Sequence, residues 1–242
     1  MTPRGKAAVA RRERQSNASA QQLIDTTAAL LSKRTDLDVS LAEIAEHSGL
    51  NSALIKYYFG NKEGLLLALL ERDAEKHMGG LRRLVELDMP APQKLRIHIG
   101  AVVKAYCGSP YLNRLIHLMV EHAKPAMGRR VSDIFVKPIR EAYKAILDQG
   151  VREGAFRAID PGLLYFSLIG ACDHIFVAAQ SVEAVTGHAK VTEAFHEAYV
   201  THVADIFLRG MAADAASETI AFKERREAKA RVAAPRRHAA RT

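Results

Sequence analysis

Residues 39–62 read VSLAEIAEHSGLNSALIKYYFGNK, and the fold follows from how this stretch divides. Ser40 can accept a hydrogen bond from the free amides of a helix start, and Glu43, three residues on, can bond back to close a capping box. Leu41, Ile44 and Ala45 then give one apolar face, and Gly49 supplies a residue tolerant of positive φ where that helix ends. Asn51 or Ser52 can cap a second helix, to which Ala53, Leu54, Ile55 and Tyr58 contribute bulk. Two helices this short need a third to pack against. A helix-turn-helix places such a second helix in the DNA major groove. A helical hairpin inside an all-α core gives the same pattern, so spacing alone leaves both readings open.

Outward from this stretch, Ala20, Leu23, Ile24, Thr27, Leu30 and Leu31 recur at spacings of three and four, which predicts a supporting amphipathic helix over about 16–33. The 35–38 connection is polar. On the other side, Gly60 and Asn61 interrupt the pattern and Asn61 can cap a long helix from Lys62 to about Gly79. Pro90 and Pro92 separate this unit from a second region. There, helices are expected over 93–106, 110–122 and 127–150, followed by a loop at 150–160 with Phe156 turned inward. The expected organisation is all-α: a basic flexible arm (1–15), a helix-turn-helix unit (16–62), a helical ligand-binding and dimerisation domain (63–212) and a basic, disordered tail (213–242).

The 242 residues are 48% hydrophobic but only 6% aromatic, with no Trp, which favours helix over sheet. The net charge of +8 is concentrated at the ends. Residues 1–14 carry five basic side chains against Glu13, and residues 218–242 carry eight against three glutamates. Such ends can add salt-sensitive phosphate attraction, or serve only as solvated tails. Cys107 and Cys172 have no CxxC spacing and read as ordinary buried thiols. No apolar run is long enough to cross a bilayer, and no apolar segment follows the N-terminal arginines, so a cytoplasmic protein without a membrane partner is expected.

Residues 161–179 are apolar on almost every side, and Val191, Phe195, Tyr199, Val203 and Phe207 form an i,i+4 stripe on a second helix. Two adjacent helices with excess apolar surface fit a twofold pairing of subunits, for which Leu164, Leu168, Phe195, Tyr199, Val203 and Phe207 are the candidate contacts. A thick monomeric core is the alternative. Tyr106, Met119, His122, Tyr143, Phe166, Asp173 and His174 are candidate lining for a ligand pocket, although methionines and aromatics at helical spacing also make plain core. Asp173 needs a partner, within such a pocket or across an interface. HxxxEH at His117, Glu121 and His122 is not HExxH, and no phosphate loop, nucleophile elbow or metal set is present, so neither cofactor, metal nor enzymatic activity is expected.

The segment SLAEIAEHSGLNSALIKYYFGNKEGLL resembles the DNA-binding signature of the TetR family of bacterial transcriptional regulators, over about 20–70 and through Ile44–Ala45, Gly49, Tyr58–Phe59 and Lys62–Glu63. The resemblance implies a homodimeric helical regulator, usually a repressor, released from a palindromic double-stranded DNA operator by a small-molecule effector. Carried over by position, Ser40, Tyr57 and Lys62 would touch phosphate, and Asn51, Ser52 and Ala53 would form the leading edge of the recognition helix. Lys56 stands where a tyrosine is more common, and a flexible cation there can meet phosphate or a guanine edge. A DNA-independent adaptor would instead tolerate substitution of Lys56 and Tyr57 without loss of nucleic-acid affinity, and a small helical enzyme acting on an apolar ligand would show turnover or a bound cofactor, with its polar residues converging in a closed pocket.

Overall fold

A computed structural model describes the backbone of residues 3–34, 36–178, 181–187 and 192–213, with side chains from residue 16 onward. Among the described residues the fold is all-α, and the β-type pairing is a single bridge between Phe156 and Ala212. Helix α1 (Pro3–Ser32) runs back to Pro3 instead of starting at Ser16; Ala7, Ala8, Ala10 and the arginines that follow at 11, 12 and 14 are strong helix formers. Leu23, Leu30 and Leu31 of α1 are buried against α2 (Leu41–Ser48), α3 (Ser52–Phe59) and α4 (Lys62–Glu86). Helix α4 continues beyond Gly79 because Leu81 and Leu84 carry its buried stripe onward.

The second region comprises α5 (Ala91–Gly108), α6 (Leu112–His122), α7 (Pro125–Val131), α8 (Lys137–Arg152), α9 (Pro161–Val177), α10 (Val182–Thr186) and α11 (Glu193–Met211). The single helix expected over 127–150 is interrupted by a π-helical turn, Ser132–Val136. Pro138 explains it: lacking an N–H, it cannot continue the regular i→i−4 ladder, and the widened turn sets Phe135 into the core. Phe156 does point inward, and its ring would collide with any Cβ at Gly150. Asp160 caps α9 through Gly162 N (2.7 Å) and Leu163 N (2.9 Å), and Thr192 caps α11 through Phe195 N (3.2 Å).

One apolar core runs from Leu23 in α1 to Met211 in α11. Leu164, Leu168 and Val203, expected at a subunit interface, belong to that core. Helix α9 packs on α5 and α8, which turns Leu164 and Leu168 inward and leaves Leu163 and Phe166 on the outer face. Cys172 is buried, whereas Cys107, expected buried, is exposed with its Sγ 3.6 Å from His196 Nδ1. No described helix is long and apolar enough to cross a membrane. Thr35, Ala179, Val191 and the tail from 214 lie outside the described residues, as do the side chains of the basic arm.

Candidate nucleic-acid interface and effector cavity

Caps set the geometry of α2 and α3. Ser40 Oγ accepts from Glu43 N (3.1 Å), but the reciprocal half of the capping box is missing because the Glu43 carboxylate is taken by Arg34, an ion pair stronger than the expected amide contact. Gly49 ends α2 at φ +67°, a left-handed conformation in which its N–H reaches Ala45 and Glu46 carbonyls. Gln22 of α1 clamps the turn by donating to Ser48 O (2.8 Å). Asn51 Oδ1 then accepts from Ala53 N (2.8 Å) to start α3.

Ile55 is fully buried and fixes the orientation of α3. Ser52, Ala53, Lys56 and Tyr57 consequently share the exposed face, Tyr57 at 77% accessibility. Asn51 stands exposed at the leading end. Lys62, at the start of α4, is held 3.3 Å from Asp38, an exposed pair that a phosphate can displace at little cost. Gly64 does not stand out in the sequence pattern, yet a Cβ there would lie 2.0 Å from Phe59 O. The close crossing of α3 over α4 demands glycine.

Polar contacts join this unit to the second region. Arg72 of α4 donates to Asp25 of α1 (2.7 Å) and to Asp73 (2.8 Å), while the Tyr111 hydroxyl donates to the other Asp73 oxygen (2.8 Å). Burial raises the Tyr111 pKa, and the Asp73 charge adds to it, so the hydroxyl stays protonated as a donor. Arg114 of α6 also donates to Arg34 O (3.1 Å), just ahead of α2.

An apolar cavity of about 420 Å³ opens between α4 and α5, closed by α6, the π-helical turn, α8 and α9. Of the expected pocket residues, Tyr106 lines it. Tyr143 lies behind the wall, its hydroxyl 3.1 Å from Nε2 of His98, which does line it. Burial holds the His98 pKa down at about 4, so the ring is neutral. The others do not reach the cavity: Met119 is core, His122 is exposed at the end of α6, and Phe166 is 73% exposed on the outer face of α9. Burial raises the Asp173 pKa, opposed by hydrogen bonding to Asn113 and the nearby charges of His117 and Arg114. His174 lines a separate cleft with Phe195 and Tyr199. Sequence reading missed His77, Arg83 and Phe135 as lining; the available signal was the Gly79–Gly80 pair, which reads in sequence as a helix end.

Phe195, Tyr199 and Phe207 are half-buried on α11, and Tyr199 donates to Ala171 O of α9 (2.5 Å). The outward apolar face is instead Leu163, Phe166 and Val177 on α9 with Ile206 on α11. Among the described residues, no three His, Cys, Asp or Glu side chains converge on a possible metal position.

This architecture coincides with two family models. Residues 23–69 match "Bacterial regulatory proteins, tetR family", and residues 88–217, more than half the chain, match "Tetracyclin repressor-like, C-terminal domain". The chain belongs to the TetR family. It is a helix-turn-helix transcriptional regulator. The HTH-type transcriptional regulator RutR of Escherichia coli K12 is 27% identical over 172 residues, 71% of this chain and 80% of RutR. BetI 2 of Chromohalobacter salexigens is 33% identical over 87 residues, 35% of this chain and 40% of that protein. The fold is shared with the transcriptional regulator FadR of Bacillus subtilis, solved in complex with stearoyl-CoA, at a TM-score of 0.62 and 18% identity over 79% of this chain and 98% of that one.

Proposed function

We propose that this TetR-family regulator is a non-catalytic repressor that binds a palindromic operator as a homodimer and leaves it when a small apolar molecule enters the α4–α5 cavity. The observation that carries the reading is the exposed face of α3, where Ser52, Ala53, Lys56 and Tyr57 stand together on a helix anchored from behind by Ile55. A twin subunit supplies the second half-site reader one DNA turn, or a multiple of it, away. The outward apolar face of α9 and α11 is the surface that such pairing would cover.

Release follows from a population shift. Helix α4 lines the cavity at one end and begins with Lys62 beside α3 at the other, so a ligand that favours a different α4 position lowers operator affinity by its differential affinity for the two arrangements.

Selection of bound duplexes from a random pool by the purified chain tests the reading. The expected product is a dyad-symmetric site with one footprint per half. Lys56→Ala and Tyr57→Ala should each weaken binding by about 1 kcal/mol or more, and Lys56→Ala should also lower the salt slope by about one unit where the lysine neutralises a phosphate. No duplex preference, or unchanged affinity in both variants, would leave the adaptor or enzyme alternatives standing.

A further inference from the structure

His98 presents a hydrogen-bond donor to the α4–α5 cavity. Its Nε2 lies 3.1 Å from the Tyr143 hydroxyl, and Tyr143 is fully buried with His98 as its one hydrogen-bond partner among the described residues. The phenolic hydrogen therefore goes to Nε2; were Nε2 to donate instead, that hydrogen would be buried and unpaired. Burial keeps the Tyr143 hydroxyl protonated and the His98 ring neutral, so the ring hydrogen sits on Nδ1. Nδ1 bonds to none of the described residues and yet is not enclosed, the enclosed unpartnered side-chain atoms being Glu63 Oε2, His77 Nε2 and His196 Nε2. On a side chain that lines the cavity, this N–H is open to the cavity.

The other polar groups of the lining are engaged, enclosed or outside. Tyr106 directs its hydroxyl to Asn113 Oδ1 at 3.4 Å, His77 Nε2 is shut away by protein, and Arg83 is exposed to solvent. Among the described residues, no Asp, Glu, Asn, Gln, Ser or Thr lines the cavity. Leu87 and Ile97, each about half exposed, also line it, so part of its mouth is apolar. One N–H in a wall of Leu84, Val102, Ile116 and Ile169 matches a ligand with one acceptor and no charge. A carboxylate drawn into that wall would exchange its hydration for a single hydrogen bond, and an ammonium would meet a donor where it needs an acceptor. At about 30 Å³ per water-sized unit, the 420 Å³ cavity takes a molecule of roughly 14 heavy atoms.

We propose that the effector is an uncharged, mainly apolar molecule bearing one carbonyl group, whose oxygen accepts a hydrogen bond from His98 Nδ1 while its body fills the cavity. The proposal rests on the reading that this cavity receives the effector. Tyr143 is then a positioning residue: by occupying Nε2 it fixes the tautomer that turns the N–H toward the ligand.

Calorimetric titration of the full chain with valerophenone and pentylbenzene, which differ by a carbonyl in place of a methylene, and with the carboxylate ω-phenylvalerate tests this without DNA. Both uncharged probes are expected to bind one per chain, and the carboxylate at least about ten-fold more weakly than valerophenone. His98→Phe combined with Tyr143→Phe replaces both partners of the buried hydrogen bond by rings of similar shape. That pair of changes should weaken valerophenone by about ten-fold while pentylbenzene binds as tightly as before or more so. Two measurements on the parent chain stand whether or not the double variant folds. Nitrogen NMR of the His98 ring should place its hydrogen on Nδ1, and the carbonyl stretch of isotope-labelled valerophenone should fall below its value in hexane on binding. The proposal is overturned if the hydrogen sits on Nε2, if the bound stretch stays at the hexane value, if the carboxylate matches the ketone, or if the double variant changes both uncharged probes alike. Binding of pentylbenzene without valerophenone overturns it and leaves the cavity reading standing, whereas binding of neither removes both.

Discussion

At the scale of single residues, His98 makes the burial of the cavity wall measurable. Burial holds its pKa at about 4, against 6.5 for the free side chain. Between those values the unfolded chain binds a proton that the folded chain refuses, so the contribution to stability is complete above about pH 6.5 and is lost as pH falls toward 4. Urea unfolding should therefore show about 2 kcal/mol less stability at pH 5 than at pH 7 from this residue, at about 1.4 kcal/mol per unit. His98→Gln should flatten that part of the profile; an equal slope in the variant would show that other groups carry it. The caps at Ser40, Asn51 and Asn61 were legible because they depend on local spacing, and each accepts the expected type of amide hydrogen bond. The Glu43 half of the capping box was not, because Arg34 is nine residues away and only the folded α1–α2 connection brings it into reach. Gly64 was missed for a related reason: the carbonyl it must avoid belongs to the preceding helix crossing.

Among whole elements, α9 shows what periodicity can and cannot decide. Its apolar residues surround the helix, so composition announces two covered faces without saying which face meets the protein's own core. Packing on α5 and α8 resolves it: Leu164 and Leu168 go inward, Leu163 and Phe166 outward. If twin subunits pair through this surface, Phe166→Asp should shift the chain toward monomer in sedimentation velocity while the chain stays folded, because the side chain is already exposed in one subunit, and its urea midpoint should fall only by the lost contribution of pairing. Leu168→Asp should instead unfold the chain, since it places a carboxylate in a fully buried site. A Phe166→Asp dimer as tight as the parent would exclude this face. The π-helical turn shows the same limit, with Pro138 visible in the sequence but its consequence set by Phe135 finding the core.

Across the whole molecule, the DNA-reading unit was legible as a unit because its helices are short, capped and ordered by local signals, whereas the cavity is assembled from six elements distant in sequence. What joins them is the contact of Arg72 with Asp25 on one side and with Asp73 and Tyr111 on the other. Burial alone would lower the Arg72 pKa, yet the hydrogen bond and charge of Asp73, with smaller effects from Tyr111 and Asp25, leave it raised. The guanidinium is therefore a fixed cation at the crossing of α1, α4 and the start of α6. Asp25→Asn weakens only the α1 side, because Asp25 is largely exposed and Asp73 keeps both of its other partners. If movement of α4 reaches α1 through this pair, the variant should bind operator and effector separately about as well as the parent. The ratio of operator dissociation constants with and without saturating effector should fall by a factor matching about 0.5–2 kcal/mol of weakened coupling. Four dissociation constants, each ligand with and without the other, close the cycle and must give one coupling energy whichever side is measured. An unchanged ratio in Asp25→Asn would move the connection elsewhere, and the hydrogen bond from Arg114 to the Arg34 carbonyl would then be the remaining described polar route between α6 and the turn before α2.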